Sequence, residues 1–210
     1  PTIHHRFTRD MGDRTATIGA TVTTQSVSLR SRRMKITSVI HSLNGGGAER
    51  VMAGLVTRLQ RRGHSCTLIT LDDATQDRHA VDPAVTRRPL DVMRNSSSRW
   101  SAVTNNLRRA ATLRRAIAQS KPDVVLSFCD VTNVLTLLAS RGLRVPVVVS
   151  ERSDPEKQKL PWPWSTLRPR LYRHAARVIV LTDTAAAEVT PWCDVTPMVI
   201  PSAVDKPTPT

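Results

Sequence analysis

Residues 34–62 read MKITSVIHSLNGGGAERVMAGLVTRLQRR, and this stretch decides the fold class. Its first part, Met34–Ser42, has the apolar run of a strand, and its last part, Ala48–Arg62, has apolar residues at helical spacing. Between them lies the loop Asn44–Gly47, which ends in consecutive glycines. A strand, a glycine loop and a helix in this order let backbone N–H groups and a helix N-terminus face an anion. Glycine suits such a loop because a missing Cβ lets a phosphate approach the backbone and permits positive φ.

The spacing of this loop differs from two common phosphate-binding motifs. A Walker loop needs Gly-Lys-Ser or Gly-Lys-Thr after its intervening residues, and this loop lacks that sequence. The dinucleotide fingerprint needs a small residue at position 50, where this chain has Arg50. The loop therefore predicts a phosphorylated ligand bound in another manner. A glycine turn that only tightens helix–strand packing is the alternative.

Strand-like and helix-like segments alternate from Met34 onward. The further predicted strands are His64–Leu71, Val85–Leu90, Asp123–Phe128, Val145–Ser150, Arg177–Leu181 and Met198–Ile200. The further predicted helices are Arg99–Ser120 and Val131–Arg141, with others before and after the strand at 177–181. Strands that read as Val, Ile and Leu runs between helices are typical of a parallel sheet buried on both faces. We therefore predict an α/β fold, a Rossmann-like doubly wound sheet of about six or seven parallel strands with helices on both faces.

The two ends of the chain differ in composition from this predicted domain at 34–205. Residues 1–33 are rich in Thr, Ser and Arg without apolar periodicity, so we expect disorder or a segment upstream of a true start at Met34. A targeting peptide is a further interpretation. Residues 206–210 have the composition of an interdomain linker or a truncated tail.

The net charge of +14 suits polyanions, acidic membrane surfaces and phosphorylated substrates. Nucleic acid is not expected as a partner, because only two Phe and one Tyr are available for stacking and no zinc-finger, basic-zipper or RNP motif occurs. The residues Cys66, Cys129 and Cys193 are far apart without a C-x-x-C pair. This pattern favours a reducing, cytoplasmic compartment and argues against zinc.

The segment Lys157–Arg173 combines Trp162, Trp164 and Tyr172 with basic residues. It predicts either peripheral contact with the inner face of a membrane or a tryptophan-packed cover on the edge of the domain. No apolar stretch of the chain approaches the ~18–20 residues of a membrane span.

A ligand site is expected at the carboxyl ends of the strands, where the strand order reverses. If the first and fourth strands flank that point, the loops Asn44–Gly47 and Cys129–Thr132 face each other. Asp130 would then accept hydrogen bonds from sugar hydroxyls, or it would only cap the helix that begins at Val131.

The sequence also gives expectations for five other charged or titratable residues. Glu151 and Arg152 follow the next strand and would line the cleft, or they would pair with each other or with solvent. Glu49 is explained by the preference for carboxylates in the first turn of a helix. His41 is expected to be buried and hydrogen-bonded inside the first strand. Arg114 projects from the apolar stripe of its helix, so it must snorkel or find a partner.

The run MKITSVIHSLNGGGAERVMAGLVTRLQRRGHSCTLITLDD resembles the opening of a family 4 (group 1) glycosyltransferase. The later runs resemble the same family in the same order: DVVLSFCDVTNVLTLLA, VPVVVSERSDP, YRHAARVIVLTDTAAAEV and VIPSAVD. The likeness covers about residues 34–205, and the Gly-Gly-Ala-Glu-Arg stretch is its most specific part.

This resemblance implies the GT-B architecture, in which two Rossmann-like domains enclose the active site between them. It also implies retaining transfer from a nucleotide-sugar donor to a polysaccharide or lipid-linked acceptor, without a metal or other cofactor. At the matching positions, Asn44, Gly45, Gly46 and Gly47 would approach the phosphates or the sugar of the donor. Asp130 falls where many relatives keep a histidine that contacts this sugar, and it would be the catalytic residue here.

The chain would then be the N-terminal, acceptor-side half of the enzyme, because the second domain of the family would follow position 205. We expect no turnover from this half alone. One alternative is a non-catalytic module for phosphorylated ligands, including a subunit completed in trans. Another is a charge-driven binder of nucleic acid or membranes.

Overall fold

A computed structural model describes residues 32–93, 99–154, 157–158 and 160–202, without the side chains of residues 99–103. Most of the predicted extension at 1–33 lies outside these ranges, as do the predicted tail at 206–210 and Lys159. The described residues belong to one structural unit, which begins at Arg32.

The structure contains a sheet flanked by helices. The strands are β1 (Lys35–Ile40), β2 (Ser65–Thr70), β3 (Thr86–Pro89), β4 (Val124–Phe128), β5 (Val147–Ser150), β6 (Arg177–Val180) and β7 (Met198–Val199). The helices are α1 (Gly47–Arg61), α2 (Arg99–Ser120), α3 (Asp130–Ser140), α4 (Trp164–Tyr172) and α5 (Asp183–Val189), with a 3-10 turn at Thr190–Trp192. The predicted strands and helices are confirmed, and most of their ends move by one or two residues.

All seven strands are parallel, in the order β3-β2-β1-β4-β5-β6-β7. β1 pairs with β2 on one side and with β4 on the other, so the strand order reverses between β1 and β4. The predicted doubly wound sheet, with its first and fourth strands adjacent, is confirmed. Since all strands run in the same direction, the carboxyl ends of β1, β4 and β5 lie at the same end of the sheet.

Alternate residues of each strand pack on opposite faces of the sheet, because successive side chains point to opposite sides. On one face, strand residues such as Val39, Val125 and Val149 pack in one core with residues of α2 to α5. On the other face, strand residues such as Ile40 and Leu68 pack with residues of α1. Burial of each such side chain contributes about 1.5–3 kcal/mol, so the two cores fix the strand ends that carry the loops.

Gly63 and Arg114 each stabilise the C-terminal end of a helix. Gly63 follows the C-cap residue Arg62 of α1 with φ +90°, which a glycine adopts without strain. Arg114 of α2 donates to the backbone carbonyl of Ala139 at 3.1 Å and to the carbonyl of Arg141. Its positive charge therefore lies at the C-terminal end of α3, where the helix dipole favours a cation.

Candidate active site

A cavity of about 580 Å³ opens at the carboxyl ends of β1 and β4, where the strand order reverses. Its volume falls within the ~300–1,000 Å³ of small-ligand sites. The lining residues are His41, Gly47, Ala48, Glu49, Leu71, Met93, Arg109, Cys129, Asp130, Val131, Thr132, Leu135, Arg152, Ser153, Gln158 and Trp164. The loops after β1, β4 and β5 thus share one cavity, as the sequence predicts.

The glycine loop reaches this cavity only at its last residue. Gly47 lines the cavity, whereas Asn44, Gly45 and Gly46 are not among its lining residues. The N-cap residue of α1 is Gly46, which makes no side-chain cap, so the first backbone N–H groups of α1 keep their capacity to bind an anion.

His41 and Glu49 form an ion pair or hydrogen bond at the wall of the cavity. The Nε2 atom of His41 lies 3.1 Å from Oε1 of Glu49, and their side chains are 37% and 10% exposed. The expectation of a buried His41 inside the first strand is wrong, because β1 ends at Ile40 and the side chain is partly exposed, whereas the expected polar partner of the ring is present. Glu49 therefore has a specific partner in addition to its favourable place in the first turn of α1.

Asp130 is the first residue of α3 and lines the cavity. The N-cap residue is Cys129, so the interpretation of Asp130 as the cap of a helix beginning at Val131 is wrong by one position. Oδ1 of Asp130 accepts a hydrogen bond from the backbone N–H of Val131 at 2.6 Å. Oδ2 is buried and has no hydrogen-bond partner among the described residues, so its acceptor capacity is unused.

Glu151 lies behind the cavity instead of on its wall. The residue is 1% exposed, and its Oε1 contacts Nη2 of Arg168 at 3.0 Å and accepts a hydrogen bond from the hydroxyl of Tyr172. Burial raises the pKa of the Glu151 carboxyl to about 7, against the opposing charge of Arg168 and with a smaller contribution from Asp130. Glu151 is therefore not among the lining residues, although the sequence interpretation placed it with Arg152 on the cleft wall. The alternative, a pair between Glu151 and Arg152, is not found among the described residues either, and Glu151 instead joins β5 to α4.

Two guanidinium groups add positive charge to the cavity. Arg152 lies over the ring of Phe128 at 5.0 Å and donates to Oγ of Ser202 at 2.6 Å. Arg109 of α2 donates from Nε to the carbonyl of Val92 at 2.8 Å. Guanidinium groups recognise phosphate oxygens through paired N–H donors, so both residues suit a phosphorylated ligand.

The thiol nearest the cavity is unsuited to nucleophilic chemistry. Burial, together with the nearby carboxylates of Glu49, Asp130 and Glu151, raises the pKa of Cys129 to about 12. The thiol therefore stays protonated near neutral pH. In the described ranges, no group of three or more His, Cys, Asp or Glu could hold a metal ion.

The segment at 157–173 is partly a packed cover. Trp164 is buried and lines the cavity, whereas Trp162 is 70% exposed. Arg168 is buried and lies over the rings of Trp192 and Tyr172, so it is not part of a basic surface. No helix in the described part of the chain is long and apolar enough to cross a membrane.

Sequence reasoning missed Arg109 and Trp164 as cavity residues, and it missed the pair of His41 with Glu49. Arg109 and Trp164 lie far from the strand ends in sequence and reach the cavity only through helix packing. His41 offered a signal, since it directly follows an apolar strand run at the edge where ligands bind.

Comparison with known proteins gives a family for this arrangement. A family model described as a glycosyl transferase 4-like domain matches residues 46–200. A Campylobacter jejuni protein is 30% identical over 145 residues, which are 69% of this chain and 37% of that protein. Its name is GalNAc-alpha-(1->4)-GalNAc-alpha-(1->3)-diNAcBac-PP-undecaprenol alpha-1,4-N-acetyl-D-galactosaminyltransferase.

Solved structures share the fold at low sequence identity. Anabaena HepE in complex with UDP and glucose matches 82% of this chain with a TM-score of 0.61 and 16% identity. Sucrose-phosphate synthase from Thermosynechococcus elongatus matches 81% of it with a TM-score of 0.65 and 11% identity. The match covers 45% and 48% of those chains, so this chain spans less than half of each protein that it resembles here.

Proposed function

This chain belongs to the glycosyl transferase 4-like domain family and forms one half of a GT-B fold, and we propose that it is the acceptor-side half of a retaining glycosyltransferase. The enzyme would move a sugar from a nucleotide-sugar donor to a polysaccharide or lipid-linked acceptor. The observation that carries this proposal is the cavity at the reversal point of a sheet whose residues 46–200 match the family.

The proposed donor fits the charge and the backbone at the cavity. The N-terminus of α1, beginning at Gly47, and the guanidinium groups of Arg109 and Arg152 favour a diphosphate. The Anabaena structure contains UDP and glucose, which supports a nucleotide-sugar donor by analogy. In this proposal the loop Asn44, Gly45, Gly46 and Gly47 approaches the donor, with Gly47 nearest to it.

The proposed acceptor and the second domain rest on the relatives. The Campylobacter jejuni enzyme is named for an undecaprenol-linked glycan, which supports a lipid-linked acceptor here. We propose that a second Rossmann-like domain completes the site, supported by the share of each relative that this chain spans. We also propose that the protein contacts the membrane surface peripherally, where such an acceptor would be held.

Asp130 is the residue proposed to act on the transferred sugar. Its buried Oδ2 can accept a hydrogen bond from a sugar hydroxyl. In the full-length protein containing this chain, Asp130→Ala should cost roughly 1.5–3 kcal/mol of transition-state stabilisation, the range for a hydrogen bond to a charged group. The matched control is Asp123→Ala, since Asp123 lies beyond the opposite end of β4 and binds the backbone N–H of Lys35.

The test is a transfer assay with a panel of UDP-sugars and undecaprenyl-diphosphate glycans, followed by NMR of the new anomeric centre. Transfer with the donor configuration kept, and a loss of kcat/KM in Asp130→Ala that Asp123→Ala does not show, is the expected result. Binding of a nucleotide-sugar without any transfer would favour the non-catalytic module instead. A product with inverted configuration would contradict the retaining mechanism.

A further inference from the structure

We infer that His41, held by the carboxylate of Glu49, binds a hydroxyl of the acceptor inside the cavity. This inference rests on the proposed function and assigns a residue to the acceptor side of the same site. The carbonyl of His41 accepts hydrogen bonds from the backbone N–H groups of Leu71 and Asp72, each at 3.1 Å. These bonds fix the backbone of His41 against the end of β2, and the residue lines the cavity.

The contact with Glu49 fixes the chemistry of the ring. Nε2 of His41 lies 3.1 Å from Oε1 of a carboxylate that is almost buried. When Nε2–H donates to this carboxylate, the neutral imidazole carries an acceptor lone pair on Nδ1. A ring nitrogen that accepts a hydrogen bond suits a hydroxyl group, which donates its proton.

Gly46 makes room for this pair. An ideal Cβ at Gly46 would lie 2.2 Å from Oε2 and 2.9 Å from Oε1 of Glu49. The backbone of Gly46 has φ −80° and ψ 171°, a conformation that any residue adopts. A side chain at Gly46 would therefore displace the Glu49 carboxylate without straining the backbone, which gives Gly46 a part in orienting His41.

The rest of the cavity fits a carbohydrate. Asp130, which the proposed function assigns to the transferred sugar, lines the same cavity. Trp164 and Leu135 add apolar surface to the same cavity. A sugar ring offers hydroxyl donors on its edges and apolar C–H groups on its faces, so both kinds of wall have a counterpart in the ligand.

The first test compares Michaelis constants in the full-length protein, with UDP-sugar and a lipid-linked glycan as substrates. His41→Ala should raise the acceptor KM about tenfold, the effect of one lost hydrogen bond, and should raise the donor KM by less. The control is His174→Ala, because His174 is exposed and does not line the cavity. It should leave both constants unchanged.

An unchanged acceptor KM in His41→Ala, or an equal rise in the donor KM, would overturn this inference while the parent protein still transfers sugar. Absence of transfer by the parent would overturn the proposed function and this inference together. The two failures are therefore distinguishable.

The second test uses Gly46→Ala, which leaves His41 and Glu49 in place. It should raise the acceptor KM with little change in thermal unfolding, because its Cβ displaces a flexible carboxylate. In a Glu49→Ala background the same change should add less than about twofold, since no carboxylate remains to be displaced. An unchanged acceptor KM in Gly46→Ala, or full additivity in the double variant, would overturn the role given to Gly46 and Glu49.

Discussion

The three glycines of the loop at 44–47 lack a side chain for three different reasons. Gly45 has φ +120°, which side-chain-bearing residues rarely adopt, and a Cβ there would lie 3.1 Å from Cδ of Arg78. Gly46 leaves space for the carboxylate of Glu49. Gly47 has no atom within 4 Å of an added Cβ and lines the cavity. A ligand that approaches the loop therefore meets Gly47 before its neighbours.

Replacing Gly47 should separate ligand approach from folding. Gly47→Val should lower kcat/KM in the full-length protein by at least about tenfold, because the added side chain enters the cavity, and should leave thermal unfolding nearly unchanged. The contrasting variant is Gly45→Val, which forces a left-handed backbone and should lose roughly 1–2 kcal/mol of stability. Unfolding in urea together with transfer kinetics checks both. Equal losses of stability and activity in Gly47→Val would support a turn that serves packing only.

At the scale of elements, a buried polar cluster joins β5 to α4. Glu151 directly follows β5, and its partners Arg168 and Tyr172 belong to α4. Asn133 of α3 donates from Nδ2 to the carbonyl of Ser150 at 3.0 Å and to the hydroxyl of Tyr172 at 3.2 Å. These contacts hold α3, β5 and α4 together directly behind the cavity. A change in the charge of Glu151 therefore affects the contacts among all three elements.

The stability of the chain should depend on the ionisation of Glu151. Burial raises its pKa from 4.5 to about 7, so between these values the native state holds a proton that the unfolded state has released. This contribution is complete below about pH 4.5 and is lost as pH rises through about 7. The stability of the parent relative to Glu151→Gln should fall by roughly 3 kcal/mol at most from pH 5 to pH 8. Urea unfolding of both proteins across this range measures it.

A stability difference that stays constant with pH would contradict this expectation. It would mean that the guanidinium of Arg168, at 3.0 Å, outweighs burial and keeps Glu151 ionised throughout.

Element type was predictable here, whereas side-chain partners were not. The strands were predicted because both of their faces are buried, which leaves continuous apolar runs such as Val147–Ser150 in the sequence. The reversal point followed from the order of elements. The partner of Glu151 was missed because Arg168 is remote in sequence and reads as one more basic residue of a charged segment. The position of His41 was missed because the predicted strand was extended to Ser42, whereas β1 ends at Ile40, where the apolar run ends.

At the scale of the whole molecule, exposed apolar side chains lie near the residues that line the cavity. Met93 is 50% exposed and itself lines the cavity, and Trp162 is two residues from the cavity residue Trp164. Apolar groups close to a candidate acceptor site suit a substrate that is held in a lipid surface.

Peripheral membrane binding should depend on the basic residues that remain exposed in this region. Among the basic residues of the segment Lys157–Arg173, Arg168 is buried, whereas Lys157, Arg170 and Arg173 are exposed. Each contributes on the order of 1 kcal/mol at an anionic leaflet, and exposed Trp162 adds an interfacial anchor. The protein should therefore sediment with anionic vesicles at low salt and not with neutral ones.

Charge reversal decides whether this surface carries the binding. Changing Lys157, Arg170 and Arg173 to Glu should abolish sedimentation with anionic vesicles. The matched control changes Arg62, Lys121 and Arg177 to Glu. These residues are exposed at the opposite end of the sheet, near the first residues of β2, β4 and β6. This control makes the same change in net charge, so it should keep vesicle binding if the location of the charge matters and not only its sum. Equal loss in both variants would indicate non-specific attraction of a chain with net charge +14. No binding by the parent at low salt would show that α4 and Trp162 serve only to cover the domain.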